Sequence, residues 1–253
     1  ALPEPREYLC GRGFDQSTLH NTRVSDPEME EYLRHLQDGD HVCDFCSAVM
    51  EPGKYEILKD GRERCPECSK TAVRTVRQAR KLFFETRQQM EEVFGISIRT
   101  PIRVRMLNAK AIAKEFGEEF VATKGFDSRA VGFARNTRNG RKELCLETGA
   151  PAKSLEYTIV HELTHIWQYE NWGDTVPNDE AHLHVYEGMA VWAEVQYMLS
   201  TGDEARAKRY SYGRLQCDDE YGRGLKVYMD KYRFTAKKNV NRKKTPFGKV
   251  PPL

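Results

Sequence analysis

Hydrophobic residues recur at helical spacing in several stretches of the chain, and these stretches predict much of its architecture. From Thr71 to Phe94 the apolar positions follow roughly helical spacing and the run ends at Gly95, which predicts one long amphipathic helix. Residues 25–36 predict a short helix with acidic residues in its first turn. The C-terminal half predicts three more helices: one capped by Ser154 that stops before Gly173, one opened by Asn178 or Asp179 that runs to Leu199, and one over 218–232.

A different pattern separates the long helix from the C-terminal helices. Ile102, Val104 and Met106 alternate with polar positions, which is typical of a half-buried strand. Further strands are predicted over 120–123, 129–135 and 142–146, with Asn139-Gly140 as a hairpin signal between the last two. This order of helices and strands predicts an α+β fold.

Composition narrows the class of protein. The chain has 253 residues, and 40 Lys and Arg against 38 Asp and Glu give a formal net charge of +2. It contains no run of 18 apolar residues, so no membrane association is expected, and the near balance of charge disfavours a nucleic-acid binder. A cytoplasmic location is expected. Because the sequence begins with Ala1 rather than Met, a secreted or periplasmic location stays open.

The most informative motif is HELTH, from His161 to His165, which has the HExxH pattern and falls in the helix predicted after Ser154. Residues four apart lie on one face of a helix, so both imidazoles can reach one metal ion. Glu162 lies beside that face, where it can act as general base on a zinc-bound water. Zinc accepts two histidines at this spacing, and the motif therefore predicts a catalytic zinc site.

A hydrolytic zinc site needs a third protein ligand and an open position for water. The metzincin spacing would require a histidine at position 171, which is Asn171. The gluzincin pattern uses a glutamate from a second helix, and Glu187 fits it, with 21 residues between His165 and Glu187. We expect Gly188 to let the two helices approach closely. His184 is the rival third ligand.

Two supporting roles are expected around this site. Glu194 lies two turns beyond the predicted ligand Glu187, where it would orient a ligand histidine, with a solvated surface position as the alternative. Peptide hydrolysis also needs a donor that stabilises the developing oxyanion. The last histidine of the sequence is His184, so the candidates are tyrosines, each with a core or surface role as the alternative: Tyr212, Tyr221 and Tyr228.

The cysteines predict a second metal site. Their total of seven is odd, which fits poorly with a disulfide framework. Four of them form the CxxC pairs Cys43/Cys46 and Cys65/Cys68 with 18 residues between the pairs, a spacing typical of structural zinc. Four thiolates close a tetrahedral site and leave no open position. Redox-active pairs are the alternative, but they would need a thioredoxin-like context that the sequence lacks.

The order of these motifs resembles that in a known family, the plant LIM-domain peptidases that are activated by ubiquitin and limit organ growth. The similar segments, within about residues 43–232, are CDFCSAVMEPGKYEILKDGRERCPEC, LFFETRQQMEE, HELTHIW, the EG-containing helix and YGRGLKVYMDKY. The resemblance implies that His161, His165 and Glu187 bind the catalytic zinc, that Glu162 is the base, and that the four cysteines form the second LIM zinc cluster.

The chain departs from that family in two respects. It has one complete set of four cysteines instead of two, and the ubiquitin-interacting helices are not evident in the run SDPEMEEYLRHL. We interpret these departures as those expected of a reduced or bacterial relative of the family. Ubiquitin, or a ubiquitinated regulator, is expected as a partner by resemblance only.

Taken together, the motifs predict a zincin-like (gluzincin) domain at 71–235 preceded by a LIM-like, treble-clef zinc finger at 41–70, with an N-terminal segment at 1–40. The predicted function is a zinc endopeptidase acting on protein or peptide substrates, with one catalytic and one structural zinc. The alternative is an adaptor whose finger recruits a protein while the HExxH site is idle or structural. The basic tail, 236–253, is expected to be solvated and mobile, or else to fold over the cleft.

Overall fold

The structure is a computed structural model, and it describes residues 34–35, 38–46, 48–117, 119–122, 131–137, 141–177 and 179–248. Five strands are named in chain order: β1 (Glu56–Ile57), β2 (Glu63–Arg64), β3 (Ile102–Leu107), β4 (Gly132–Asn136) and β5 (Lys142–Glu147). The helices that accompany them are α1 (Pro66–Lys70), α2 (Val76–Phe94), α3 (Ala109–Glu115), α4 (Ala152–Trp172), α5 (Leu183–Ser200), α6 (Glu204–Gln216) and α7 (Glu220–Lys231). The α+β class predicted from the sequence is confirmed.

A three-stranded sheet of order β3-β5-β4 supports the helices. β5 is parallel to β3, with Val104 opposite Leu144, and antiparallel to β4, with Ala134 opposite Leu144. The central strand β5 is buried along almost its whole length, whereas β3 alternates, as expected for a strand with one solvated face. The sheet thus places β4 next to α4, the helix that carries the HExxH motif.

Helix α5 forms the centre of the helical layer. Its sequence is apolar around its whole circumference, and all but a few of its residues are buried. A Cβ built on Gly188 would lie only 2.4 Å from backbone atoms of Gly224 in α7. The expectation that Gly188 permits a close approach of α4 and α5 is therefore wrong, since this glycine faces α7.

Helix α2 begins later than predicted. Thr75 and Gln78 form a capping box at its start, and Gly95 ends it in the left-handed conformation with φ of 63°. The predicted start at Thr71 is wrong because the preceding residues pair with another segment. Val73 accepts from the Gly149 N–H and donates to the Ala150 carbonyl, so this stretch is held extended.

The cysteine-bearing segment is joined to the sheet by buried polar contacts. The Arg62 guanidinium forms a salt bridge with Glu147 at the end of β5, and the exposed fractions of the two side chains are 3% and 4%. Arg64 donates to the Gly149 carbonyl next to that strand. Phe45 accepts at its carbonyl from Ser154 of α4 and from Arg206 of α6. The finger thus contacts the sheet and two helices of the larger layer.

Several other predictions differ from the structure. No strand forms over 120–122, helix α4 starts at Ala152 after Pro151 and not at a Ser154 cap, and the helices α1, α3 and α6 were not predicted. The predicted helix 25–36 and the Asn139-Gly140 turn fall mostly or wholly outside the described residues. Asp179 does accept from the His182 N–H, but it opens a 3-10 turn, Glu180–His182, ahead of α5.

The basic tail is packed against the core in its described part, so the expectation of a solvated, mobile end is wrong there. Phe247 is fully buried, with its ring centroid 4.6 Å from that of Phe94 and 5.0 Å from that of Trp167. The Val240 N–H donates to the Val93 carbonyl at 2.8 Å. These contacts attach the tail to α2 and to the C-terminal part of α4. Within the described ranges, no helix is long and apolar enough to cross a membrane.

Candidate metal centre

Three side chains from two helices converge on one point. His161 and His165 belong to α4 and Glu187 to α5. The two Nε2 atoms are 3.1 Å apart, and Glu187 Oε2 lies 3.1 Å from Nε2 of His161 and 3.3 Å from Nε2 of His165. The structure therefore brings together the three ligands that the sequence predicted.

The size of this triangle fits a metal ion. An ion with nitrogen and oxygen ligands at about 2.05 Å in tetrahedral geometry separates its ligand atoms by about 3.4 Å. The three observed separations, 3.1, 3.1 and 3.3 Å, are close to that value. His161, His165 and Glu187 could hold a metal ion, and they leave a fourth position for another ligand. His184 is not a member of this group.

The sequence places the ligands by burying the opposite side of α4. The apolar face predicted for this helix is almost fully buried and consists of Leu155, Ile159, Val160, Leu163 and Ile166. Burial of that face turns the side chains of His161 and His165 towards α5, where each remains about one-sixth exposed. Helix amphipathicity thus orients the site.

A buried carboxylate fixes the ring of His161. Glu194 Oε2 lies 3.0 Å from Nδ1 of His161 and also accepts from the Tyr210 hydroxyl at 2.7 Å. Because an ionised carboxylate can only accept, Nδ1 of His161 is the donor to Glu194, and Nε2, which faces the other two side chains, is the nitrogen available to a cation. Glu194 therefore orients His161, the predicted ligand, and the surface alternative is wrong because this residue is 6% exposed.

His165 is oriented in the same way by an amide. Gln168 Oε1 lies 2.8 Å from Nδ1 of His165, and Gln168 Nε2 donates to the Tyr186 carbonyl at 3.0 Å. Donation to that carbonyl fixes which end of the amide faces the imidazole, so Nδ1 of His165 is the donor. Sequence reasoning missed Gln168, although its place one turn after His165 on the same helix face was a signal.

Glu162 lies beside the three ligands without joining them. Its Oε2 accepts from the Ala134 N–H of β4 at 2.8 Å, which holds one carboxylate oxygen and leaves the other available. Burial raises the pKa of Glu162, and the nearby histidines offset only part of that effect. A carboxylate with a raised pKa is suited to accept a proton and release it again.

The electrostatics of the site favour a cation at its centre. Burial opposes a charge on His161, but Glu194 and Glu187 outweigh this and raise its pKa well above the ordinary value. Burial would raise the pKa of Glu187, but His165 and His161 hold it well below its usual range. The carboxylates thus attract positive charge to the Nε2 atoms, whether a proton or a metal ion supplies it.

The three tyrosine candidates differ in their surroundings. Tyr228 donates its hydroxyl to the Val185 carbonyl at 2.8 Å and is buried, so it has a structural role. The Tyr221 ring lies 6.1 Å from the His161 ring, measured between centroids, and no hydrogen bond of its hydroxyl occurs within the described part of the chain. Tyr212 makes no contact with the ligands there. Tyr221 is thus the tyrosine of this set beside the site.

The four finger cysteines also lie close together. The sulfur atoms of Cys43, Cys46, Cys65 and Cys68 all lie within 4.8 Å of one another. The Cys46 and Cys65 sulfurs are 3.8 Å apart, and a tetrahedral zinc with sulfur at about 2.3 Å gives about 3.8 Å between its ligands. The Cys65 N–H also donates to the Cys43 sulfur at 3.3 Å, a contact that stabilises a thiolate. This cluster could hold a second metal ion.

The fold and the two clusters define an α+β chain with two candidate metal sites. Comparison with protein-family models, with curated proteins and with solved structures finds no match for the chain. The function is therefore argued from the residues of the site itself.

Proposed function

We propose that the chain is a zinc-dependent endopeptidase of the zincin-like, gluzincin type, which hydrolyses peptide bonds of protein substrates. The observation that carries the proposal is the convergence of His161, His165 and Glu187 with Glu162 beside them and outside the ligand set. Two histidines, one carboxylate and an open position make up the ligand set of catalytic zinc. A glutamate next to that position is the general base that such hydrolysis requires.

Zinc is the proposed ion at both sites. Two imidazoles with one carboxylate suit zinc at the catalytic site, and four thiolates suit zinc in the finger, whose closed ligand set makes it structural. The kinship with the plant LIM-domain peptidases belongs to this proposal and rests on the order of the motifs. Regulation by ubiquitin stays a prediction, since most of residues 25–36 lies outside the described ranges.

The residues of the chain divide the chemistry between them. Bound zinc would polarise the substrate carbonyl and lower the pKa of water at the open position. Glu162 takes a proton from the attacking water on its free oxygen, while the Ala134 N–H holds the other oxygen in place. As the C–N bond breaks, Glu162 returns that proton to the leaving amine.

Tyr221 is the proposed donor to the developing oxyanion. Its ring lies against His161, its hydroxyl makes no hydrogen bond to a described residue, and burial followed by the negative charge of Glu187 raises its pKa. A phenol with a raised pKa keeps its proton at neutral pH, so it can donate to the carbonyl oxygen as negative charge develops there.

The first experiment replaces the base without disturbing the metals. Glu162→Gln should retain two zinc ions per chain and lower the cleavage of a proteome-derived peptide mixture at least about a hundredfold, because general-base catalysis contributes about 10²–10⁴. Zinc is measured by mass spectrometry, and cleavage by quantifying new peptide termini. The matched control is Glu204→Gln in the exposed first turn of α6, which should cleave like the wild type. Equal cleavage by wild type and Glu162→Gln would overturn the proposal and favour the adaptor.

A further inference from the structure

Arg214 places a positive charge next to the metal centre. Its guanidinium carbon lies 5.4 Å from the ring centroid of Tyr210, one turn earlier in α6, and 4.8 Å from that of Tyr221 in α7. Both contacts are of the cation–π type, which holds an arginine without using its N–H groups on a carboxylate. Arg214 is half-buried and forms no salt bridge with any residue in the described ranges.

No carboxylate of the described residues lies within salt-bridge distance of Arg214, which distinguishes it from the buried arginines of the finger. Arg62 pairs with Glu147, and Arg64 pairs with Glu56. A guanidinium that is taken partly out of water is ordinarily matched by an acceptor, because its five donors otherwise lose their hydrogen bonds. The Tyr210 hydroxyl, which already donates to Glu194, is a polar neighbour of Arg214, and the carboxylates of Glu194 and Asp219 attract the guanidinium from beyond salt-bridge distance.

Two side chains connect Arg214 to the metal ligands. Tyr210 contacts Glu194, the carboxylate on Nδ1 of His161, and Tyr221 has its ring against the imidazole of the same histidine. Arg214 is therefore separated from the ligand set by a single layer of tyrosine.

Arg214 reduces the repulsion that an anion would meet at the loaded site. Glu162, Glu187 and Glu194 carry three negative charges when ionised, which a divalent metal and Arg214 together only neutralise, and Asp219 adds a further negative charge near Arg214. The guanidinium therefore offsets repulsion that a substrate carboxylate would otherwise meet. The planar guanidinium also matches a carboxylate in a bidentate arrangement.

We propose that Arg214, held by Tyr210 and Tyr221, is a specificity-determining residue that binds a carboxylate of the substrate. The substrates would then be peptides with a carboxylate near the scissile bond, supplied either by an Asp or Glu side chain or by the free C-terminus. This inference rests on the proposed peptidase function, and it names the substrate class of that same site.

The inference about Arg214 is tested by measuring the binding of ligands instead of their cleavage. The protein is the full chain carrying Glu162→Gln and loaded with zinc, so that ligands remain intact. The ligands are peptide hydroxamates, whose hydroxamate binds zinc, extended by three residues to either side. The hydroxamates are made in matched pairs that differ at one position, which is Glu in one member and Gln in the other. One further pair of hydroxamates differs only in its C-terminus, which is a free carboxylate or an amide. Affinity is measured by displacement of a fluorescein-labelled hydroxamate.

We expect one position to favour the carboxylate over its neutral match by at least about tenfold, because a charge-assisted contact contributes at least about that much. Adding Arg214→Gln should reduce the preference to within about twofold, while Arg214→Lys should retain part of it. The control is Arg223→Gln, an arginine of α7 whose side chain is 56% exposed and pairs with Asp218, and it should keep the full preference. Zinc content and circular dichroism check that each variant is folded.

Each result decides the inference. If no position prefers a carboxylate in the Glu162→Gln protein, Arg214 does not select substrates, whether or not its variants fold. A preference that survives Arg214→Gln would likewise overturn it. Cleavage by the wild type without such a preference would leave the peptidase proposal standing and this inference wrong. A carboxylate preference that depends on Arg214, in a chain that cleaves no peptide, would support this inference and overturn the peptidase proposal.

Discussion

The two candidate metal clusters are built from different side chains, and under the proposed function this difference separates a structural site from a reactive one. The finger cluster has four sulfur ligands on one short segment, and they close the site. The helical cluster has three candidate ligands from α4 and α5, and Glu162 lies beside it with one carboxylate oxygen that makes no hydrogen bond to a described residue. In the described part of the chain, Glu194, Tyr210 and Gln168 form a network of hydrogen bonds around the histidines of the second cluster. A site that must leave one position open needs this outer support, because its few ligands do not fix one another.

Removing one ligand from each cluster should give the largest contrast. Cys65→Ser should lose the finger metal and unfold the finger, since apparent free energies of structural zinc binding are about 10 kcal/mol or more. Glu187→Gln should lose only the other metal and leave a folded chain with one zinc. Metal analysis and thermal unfolding distinguish the two results.

The matched control for the finger variant is Cys145→Ser. Cys145 is a free, buried cysteine of β5 outside the cluster, so this variant should keep two zinc ions. A Cys65→Ser protein that retains two zinc ions and its unfolding temperature would refute the structural role assigned to the cluster. A Glu187→Gln protein that retains two zinc ions would show that the third ligand is another residue.

The salt bridge between Arg62 and Glu147 should make the finger and the sheet depend on each other. Arg62→Leu leaves the Glu147 carboxylate buried without this partner, and we expect a loss of about 3–5 kcal/mol in the free energy of unfolding. The double variant Arg62→Leu/Glu147→Leu should be less destabilised than the single one, because it removes the buried Glu147 charge and leaves only the more exposed Asp60 without its arginine. Urea titration of the zinc-loaded proteins measures both. A single variant as stable as the wild type would mean that the finger is only loosely attached.

The smallest expected effect concerns the support of the open site. Glu194→Gln removes the charge that orients His161, and we expect metal affinity at this site to fall about 10–100-fold while the finger keeps its metal. Competition with a chelator of known affinity provides the measurement. Glu156→Gln makes the same chemical change at another buried glutamate, one that contacts Tyr197 and not the ligands, so its affinity should match the wild type. Equal affinity in both variants would show that Glu194 gives the site no support.

Spacing along one or two helices accounts for what sequence reasoning found in the site. His161 and His165 are four residues apart, and Glu187 occupies a known position on the next helix, so their convergence could be predicted. The contacts of Glu162 with Ala134 and of Glu194 with Tyr210 join distant segments, and no periodicity encodes them. Arg214 falls in the same class, since its neighbour Tyr221 comes from a different helix.

The elements that escaped prediction lack the signal on which prediction depends. Helix α6, with the sequence EARAKRYSYGRLQ, buries only Ala207 and Gly213, so it has no apolar stripe to reveal it. The prediction for the tail was wrong for the opposite reason. Its charge suggested solvent, but the single aromatic residue Phe247 anchors it among Phe94 and Trp167. A net charge describes a segment on average and does not show where one buried side chain attaches it.

The close crossing at Gly188 and Gly224 has a mechanical consequence. Backbone meets backbone there, immediately after the ligand Glu187, and the Tyr228 hydroxyl ties the same two helices at the Val185 carbonyl. Helices α5 and α7 therefore form one rigid pair that carries both a metal ligand and Tyr221. Any movement that widens the site for a substrate would have to shift this pair as a unit against α4. The two histidines of α4 would then lie on one side of the opening, and Glu187 of α5 would lie on the other side.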